Sequence, residues 1–203
     1  MSEKLYLYPV WVRLWHLTNA ILCLGLIVTG ISMQYSNPQY PLIRFDISVN
    51  IHNICGIILT LNYLMFIVGN WTTPNGQYYK IRVKGFVDSL MKQFVYYTVG
   101  IFKNAEKPYP VSKEMKFNPL QKMAYATVMY LFLPLIFITG WGLFFPEIII
   151  RNVLGFSGIQ LTAILHTVIG FFISVFMFVH IYFCTIGTTA VSNFKSMING
   201  YHE

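Results

Sequence analysis

Four long apolar runs, separated by two short polar breaks and one long basic one, dominate the pattern of this chain. They extend from about Val10 to Met33, Ile47 to Trp71, Gln121 to Phe145 and Gly158 to Gly187. Each is long enough for a helix that crosses a hydrocarbon core, which takes about 20 residues. The pattern predicts an all-α fold: one integral membrane four-helix bundle over residues 1–203. The segment between the second and third runs is polar and basic, with one amphipathic stretch. There Val83, Phe86, Val87, Leu90, Met91, Phe94 and Val95 fall on one side, and Lys84, Asp88 and Lys92 lie opposite. That stretch predicts a helix lying on the membrane surface; a cytoplasmic helix docked on a partner is the alternative.

Composition agrees with the pattern. Only 10% of residues are charged and 56% are apolar, whereas a soluble domain carries about 25% charged residues. No cleavable signal peptide is expected, because the first apolar run is too long and no small-residue cleavage site follows it. Cys23, Cys55 and Cys184 sit far apart inside apolar runs, and no C-x-x-C or C-x-x-C-H occurs. Structural zinc, iron–sulfur ligation and covalent haem attachment therefore have no sequence basis.

The basic residues orient the bundle. Twelve lie before the first helix, at its start, around the long middle segment or after the fourth helix: Lys4, Arg13, Lys80, Arg82, Lys84, Lys92, Lys103, Lys107, Lys113, Lys116, Lys122 and Lys195. Only Arg44 and Arg151 lie in the other two connections. By the positive-inside rule both termini and the middle segment are expected in the cytoplasm. The net charge of +7 then follows from topology, and a nucleic-acid partner is not expected, since the charges are spread along loops.

Ionisable residues within spans are costly and mark function by default. His16, His52, His166 and His180 fall within the runs; His202 is in the tail and is expected to be solvated. With the orientation above, His16 and His180 lie near the cytoplasmic side, and His52 and His166 near the outer side. His166 and His180 are 14 residues apart, almost four helical turns and about 21 Å, so one helix can present an imidazole at each level. Two pairs at two depths is the arrangement that two bis-histidine haems need. Gly56 and Gly170 each follow a histidine by four residues; they remove bulk where a porphyrin must approach, or serve helix packing. A haem-free anchor would have no use for depth-matched histidines. A proton-coupled transporter would be expected to carry mid-span carboxylates, and none is present.

Several strings resemble a known family. Arg13-Leu14-Trp15-His16 and Thr29-Gly30 resemble the first helix of bacterial quinone-linked di-haem b cytochromes, which serve formate dehydrogenases, thiosulfate reductases and nickel–iron hydrogenases. Phe117-Asn118-Pro119-Leu120-Gln121-Lys122, Tyr125, Pro134 and Thr139-Gly140 resemble the third helix of the formate dehydrogenase gamma and thiosulfate reductase subgroup. So do the fourth helix and the tail Met197-Ile198-Asn199-Gly200. The resemblance implies two b-type haems, with His52 and His166 on the outer one and His16 and His180 on the inner one. It also implies a bacterial inner-membrane location, menaquinone or ubiquinone, and a periplasmic iron–sulfur subunit with a molybdopterin catalytic subunit. A quinone pocket near Asn118 is implied too, although Leu120 stands where the subgroup has glycine; the nearby polar groups Gln121 and Lys122 are candidates for it, and an interfacial cap by Asn118 with snorkelling by Lys122 is the alternative. Arg13, with Arg44 and Arg151, is at a suitable depth to pair with haem propionates, or to anchor the helix ends. The expected function is electron transfer between quinone and partner, the substrate chemistry being done elsewhere. The cytochrome b of a nickel–iron hydrogenase is the alternative.

Overall fold

The computed structural model describes residues 5–37, 39–81 and 84–202; Lys4, Arg82 and Val83 lie outside the described residues. Among the described residues there are four helical spans. They are α1 (Val10–Gln34), α2 (Phe45–Thr72), a third over Pro119–Phe144, and a fourth over Gly158–Cys184. A shorter helix, α3 (Phe86–Thr98), lies between the second and third. The third span is built from α4 (Pro119–Thr127), a π-helical segment (Val128–Phe132) and α5 (Leu133–Phe144). The fourth span is α6, followed by a short helix α7 (Ser192–Asn199).

Local chemistry explains the boundaries. At the start of α4, Asn118 Oδ1 accepts from the Gln121 backbone N–H at 2.9 Å, and Gln121 Oε1 accepts from the Asn118 N–H at 3.2 Å. Pro119 fills the first helical position, where a missing N–H is harmless. Further on, Pro134 cannot donate to the turn before it, and its ring would crowd that turn. The helix widens there, and the Leu133 N–H reaches back to the Val128 carbonyl, as π-bulges do. Pro74 follows the end of α2, and a 3-10 segment takes over through Tyr79.

The helices are apolar nearly all round, which is the signature of a lipid-facing bundle. On α1, Leu14, Leu17, Ile21, Leu24, Val28 and Ile31 form an exposed stripe. The opposite face packs Trp15 against Phe66 of α2, with ring centroids 4.6 Å apart. Val128, Met129, Leu133, Ile169 and Ile173 complete the buried cluster. In lipid such contacts hold helices by close van der Waals packing and interhelical hydrogen bonds rather than by exclusion of water. Asn62 supplies one such bond, from Nδ2 to the Trp15 carbonyl at 3.3 Å. Gly69 supplies a close approach: a Cβ there would stand 2.7 Å from the Trp11 ring.

One end of the bundle is heavily covered. Strand β1 (Leu5–Tyr6) pairs antiparallel with β4 (Tyr201–His202), so both termini meet there. His202 is thus half-buried in a strand pair and not a free tail residue. The Tyr78 hydroxyl donates to the Lys113 carbonyl at 2.9 Å, which brings the middle segment to the same end. In α3 the apolar residues divide: Phe86 and Leu90 turn inward with the buried Gln93, while Val87, Met91, Phe94 and Val95 remain exposed. That outward apolar strip suits a surface helix. Among the described residues, the other end carries short connections, including the hairpin of β2 (Asn152–Val153) and β3 (Phe156–Ser157).

A pair of single cysteines tests the orientation, in a background with the native cysteines replaced by alanine. A membrane-impermeant maleimide added to intact cells should label Asn152→Cys, and should label Lys103→Cys only after permeabilisation. Gly76 is a poor probe position, because a Cβ there would lie 2.4 Å from the Asn70 carbonyl oxygen.

Candidate functional site: two histidine pairs

Four span histidines meet in two pairs. At the thinly covered end, His52 of α2 faces His166 of α6, with ring centroids 6.2 Å apart and planes crossed at 65°. Both imidazoles have the same support. Thr29 Oγ1 lies 2.9 Å from His52 Nδ1, and Thr139 Oγ1 lies 2.9 Å from His166 Nδ1. Each hydroxyl proton is already directed at its own helix: Thr29 donates to the Gly25 carbonyl at 2.7 Å, and Thr139 to the Leu135 carbonyl at 2.9 Å. A hydroxyl has one proton and two lone pairs. The threonine oxygen therefore accepts, the proton sits on Nδ1, and Nε2 keeps a free lone pair. The glycine after Thr139 leaves room for the ring, since a Cβ on Gly140 would lie 3.2 Å from His166 Cε1, whereas one on Gly30 would make ordinary contact with His52 Cε1 at 3.6 Å.

At the covered end, His16 of α1 faces His180 of α6, with centroids 6.0 Å apart and planes at 55°. The Tyr125 hydroxyl lies 3.3 Å from His180 Nδ1. Phe176 stacks on the His180 ring at 5.7 Å, and Cys184 Sγ is 3.7 Å from Nε2. Buried polar atoms cluster beside His16 without hydrogen-bond partners: Arg13 Nε, Trp15 Nε1 and Asn19 Oδ1. Such orphans in an apolar bundle point to a polar group that belongs between the helices.

The spacing fits one chemistry. Two imidazoles bound on opposite sides of one first-row metal at about 2.0 Å per bond put their ring centres roughly 6 Å apart. Among the described residues no three His, Cys, Asp or Glu side chains come together to hold a bare ion. Two ligands per level suffice only when a macrocycle supplies the rest, as in haem. A family model described as prokaryotic cytochrome b561 matches residues 7–200. The chain belongs to that family. One relative is the Escherichia coli (strain K12) protein YdhU, whose name describes it as a cytochrome; it is 37% identical over 203 residues, covering 100% of this chain and 76% of its own length. The chain is accordingly a membrane haem b electron-transfer protein.

Other residues singled out from the cytochrome's sequence have defined places. Asn118 and Gln121 lock each other at the start of α4, and Asn118 Nδ2 donates to the Tyr97 hydroxyl at 2.9 Å. Arg13 holds the tail by donating from Nη1 to the Ile198 carbonyl. Arg44 pairs with Asp46 at 2.8 Å on the exposed surface, and Arg151 is exposed. Next to Gly56 a Cβ would meet nothing within 4 Å, and at Gly170 it would make ordinary contact with Ile136. The functional groups that sequence reasoning missed are the hydroxyls of Thr29, Thr139 and Tyr125. The first two were visible only as parts of Thr-Gly pairs.

Lys116, one of the basic residues of the middle segment, is buried. It is 3% exposed. Its Nζ lies 4.4 Å above the Tyr8 ring centre and within 5.5 Å of those of Tyr78 and Phe117, and donates to Asn75 Oδ1 at 3.3 Å. Burial pushes its pKa down to about 8. The unfolded chain then binds more protons than the folded one above that value, so stability should rise between pH about 8 and about 10. Higher still, Tyr8, pushed up to about 12 by burial, reverses the trend. Thermal melts of the detergent-solubilised protein should show the gain, and Lys116→Met should remove it.

Loss of one threonine hydroxyl removes the hydrogen bond that makes its histidine more electron-rich. Thr29→Val and Thr139→Val should each raise the midpoint potential of the haem at this level by roughly 20–60 mV, about one net hydrogen bond for a one-electron couple. Spectroelectrochemical titration measures the shift.

Proposed function

We propose that this chain is a di-haem subunit carrying electrons between a membrane quinone and a periplasmic oxidoreductase. One observation carries the reading: α6 presents His166 and His180 at opposite ends of the bundle, each 6.0–6.2 Å from a histidine of another helix. A bound b-type haem supplies a reversible one-electron couple at its iron. The chain holds neutral imidazoles, fixes their tautomer through Thr29 and Thr139, and keeps water and carboxylates out of the span. Neutral ligands spare the hydrocarbon a buried charge.

The outer pair, under thin cover, faces a partner with an iron–sulfur subunit and a molybdopterin catalytic subunit. The resemblance of the third span to the formate dehydrogenase gamma and thiosulfate reductase subgroup supports that partner class. The inner pair, at the basic end, serves menaquinone or ubiquinone. The 12-to-2 distribution of basic residues supports a cytoplasmic position for that end in a bacterial inner membrane.

Haem analysis tests the reading. The purified protein should contain two haems per chain, both extracted by acid acetone. His52→Ala and His166→Ala should lose the same spectral component, and His16→Ala and His180→Ala the other. A single haem, or loss of one component by His16→Ala and His166→Ala alike, overturns it.

A further inference from the structure

The cleft beside the end of α2 has a volume of about 520 Å³, within the range of about 300–1,000 Å³ typical of small-molecule sites. It opens at the covered end, between α2, the 3-10 segment that follows it and Tyr130 of the third span. Lys80 brings an ammonium to the lining, and no Asp or Glu belongs to it. Among the described residues Lys80 forms no ion pair.

Asn70 gives the same cleft a donor that nothing in the bundle uses. Lys116 Nζ can only donate, so the Asn75 atom it meets at 3.3 Å is the oxygen, Oδ1. Asn75 therefore turns Nδ2 towards Asn70, and the Asn70 atom that accepts it at 2.7 Å is again Oδ1. What remains is Asn70 Nδ2, buried and without a hydrogen-bond partner. The Tyr130 hydroxyl stands beside this amide, outside hydrogen-bond geometry. A buried orphan donor calls for an acceptor, and an ammonium in the same lining calls for a negatively charged one. Each bond from Lys116 through Asn75 to Asn70 polarises the next, which also fits the orphan donor to an anion.

The surroundings indicate the source of that anion. Trp71, in the lining, is 87% exposed at the end of a span, where an indole suits the membrane interface. Ile67 and Leu64 precede it by four and seven residues and so continue on the same side of α2; Leu64 is 54% exposed. An apolar track thus runs from the cleft towards the middle of the bilayer. A dissolved anion has no use for such a track, whereas an acyl chain does. Basic pockets between spans on the cytoplasmic side receive anionic lipid headgroups, and this end is the one where the basic residues gather.

We infer that this cleft holds one anionic phospholipid, its phosphate between the Lys80 ammonium and Asn70 Nδ2 and an acyl chain along Trp71, Ile67 and Leu64. The site is separate from the histidine pairs and does not depend on which molecule exchanges electrons with them.

Native mass spectrometry of the delipidated, haem-loaded protein tests it, with dioleoylphosphatidylglycerol, dioleoylphosphatidylcholine and inorganic phosphate as probes. One phosphatidylglycerol should stay bound, and phosphatidylcholine should bind about tenfold more weakly. Lys80→Gln should weaken phosphatidylglycerol about tenfold, the effect of one charge-assisted hydrogen bond. Asn70→Asp keeps the acceptor for Asn75 and sets a carboxylate oxygen in place of Nδ2, so it should weaken the lipid further than Lys80→Gln does. Lys103→Gln, at an exposed lysine outside the cleft, should change nothing. The wild-type haem spectrum shows that a variant is assembled; Lys80 is exposed, so its replacement decides the matter even where Asn70→Asp fails to assemble. No loss in Lys80→Gln, or the same loss in Lys103→Gln, overturns the site. Equal retention of the two lipids overturns the headgroup contact. Inorganic phosphate that displaces phosphatidylglycerol at comparable concentration overturns the lipid as the source of the phosphate.

Discussion

Hydrocarbon offers no partner to a polar group, and that constraint governs how the four histidines are held. An imidazole in a span must have its N–H satisfied from within the bundle. For His52 and His166 the acceptor is a threonine whose own proton is committed to a helix carbonyl one turn back. The commitment removes the ambiguity of a ring with two nitrogens. Nδ1 becomes the donor, Nε2 the ligand, and the ring plane is fixed by a rigid helix rather than by a loop. At Gly140 the missing side chain lets the His166 ring lie close to α5. The α1–α2 and α5–α6 hairpins thus solve one problem with one hydroxyl.

The inner level is held differently. Tyr125 approaches His180 at 3.3 Å, an aromatic ring covers the imidazole, and a cation sits in an aromatic cup nearby. The Lys116 ammonium lies over the rings of Tyr8, Tyr78 and Phe117 and donates to Asn75 Oδ1. A buried ammonium is expensive unless something offsets it, and here three ring faces and one amide oxygen do so.

The spans were legible because an apolar run of the required length has few other readings. The two levels of histidines followed from counting residues along helices. Other features could not be read this way. Mid-span threonines usually bond back to their own helix and announce nothing; that Thr29 and Thr139 also receive an imidazole depends on a second helix. Lys116 looked like one more basic loop residue, since its cup is assembled from Tyr8, Tyr78 and Phe117, which are up to 108 positions away along the chain. The β1–β4 pairing joins the two ends of the chain and has no local signal. The π-helical segment was hinted at by Pro134, but a proline can also simply end or kink a helix.

The unequal cover at the two ends has a further consequence. Both termini, α3, α7 and the middle segment gather over the inner pair, whereas a short hairpin and a short turn guard the outer one. The His16–His180 pair lies under several elements, whereas the His52–His166 pair lies under short connections. Electron tunnelling weakens steeply with each added layer of protein, so the two ends of the bundle differ in how closely a redox partner can approach a histidine pair.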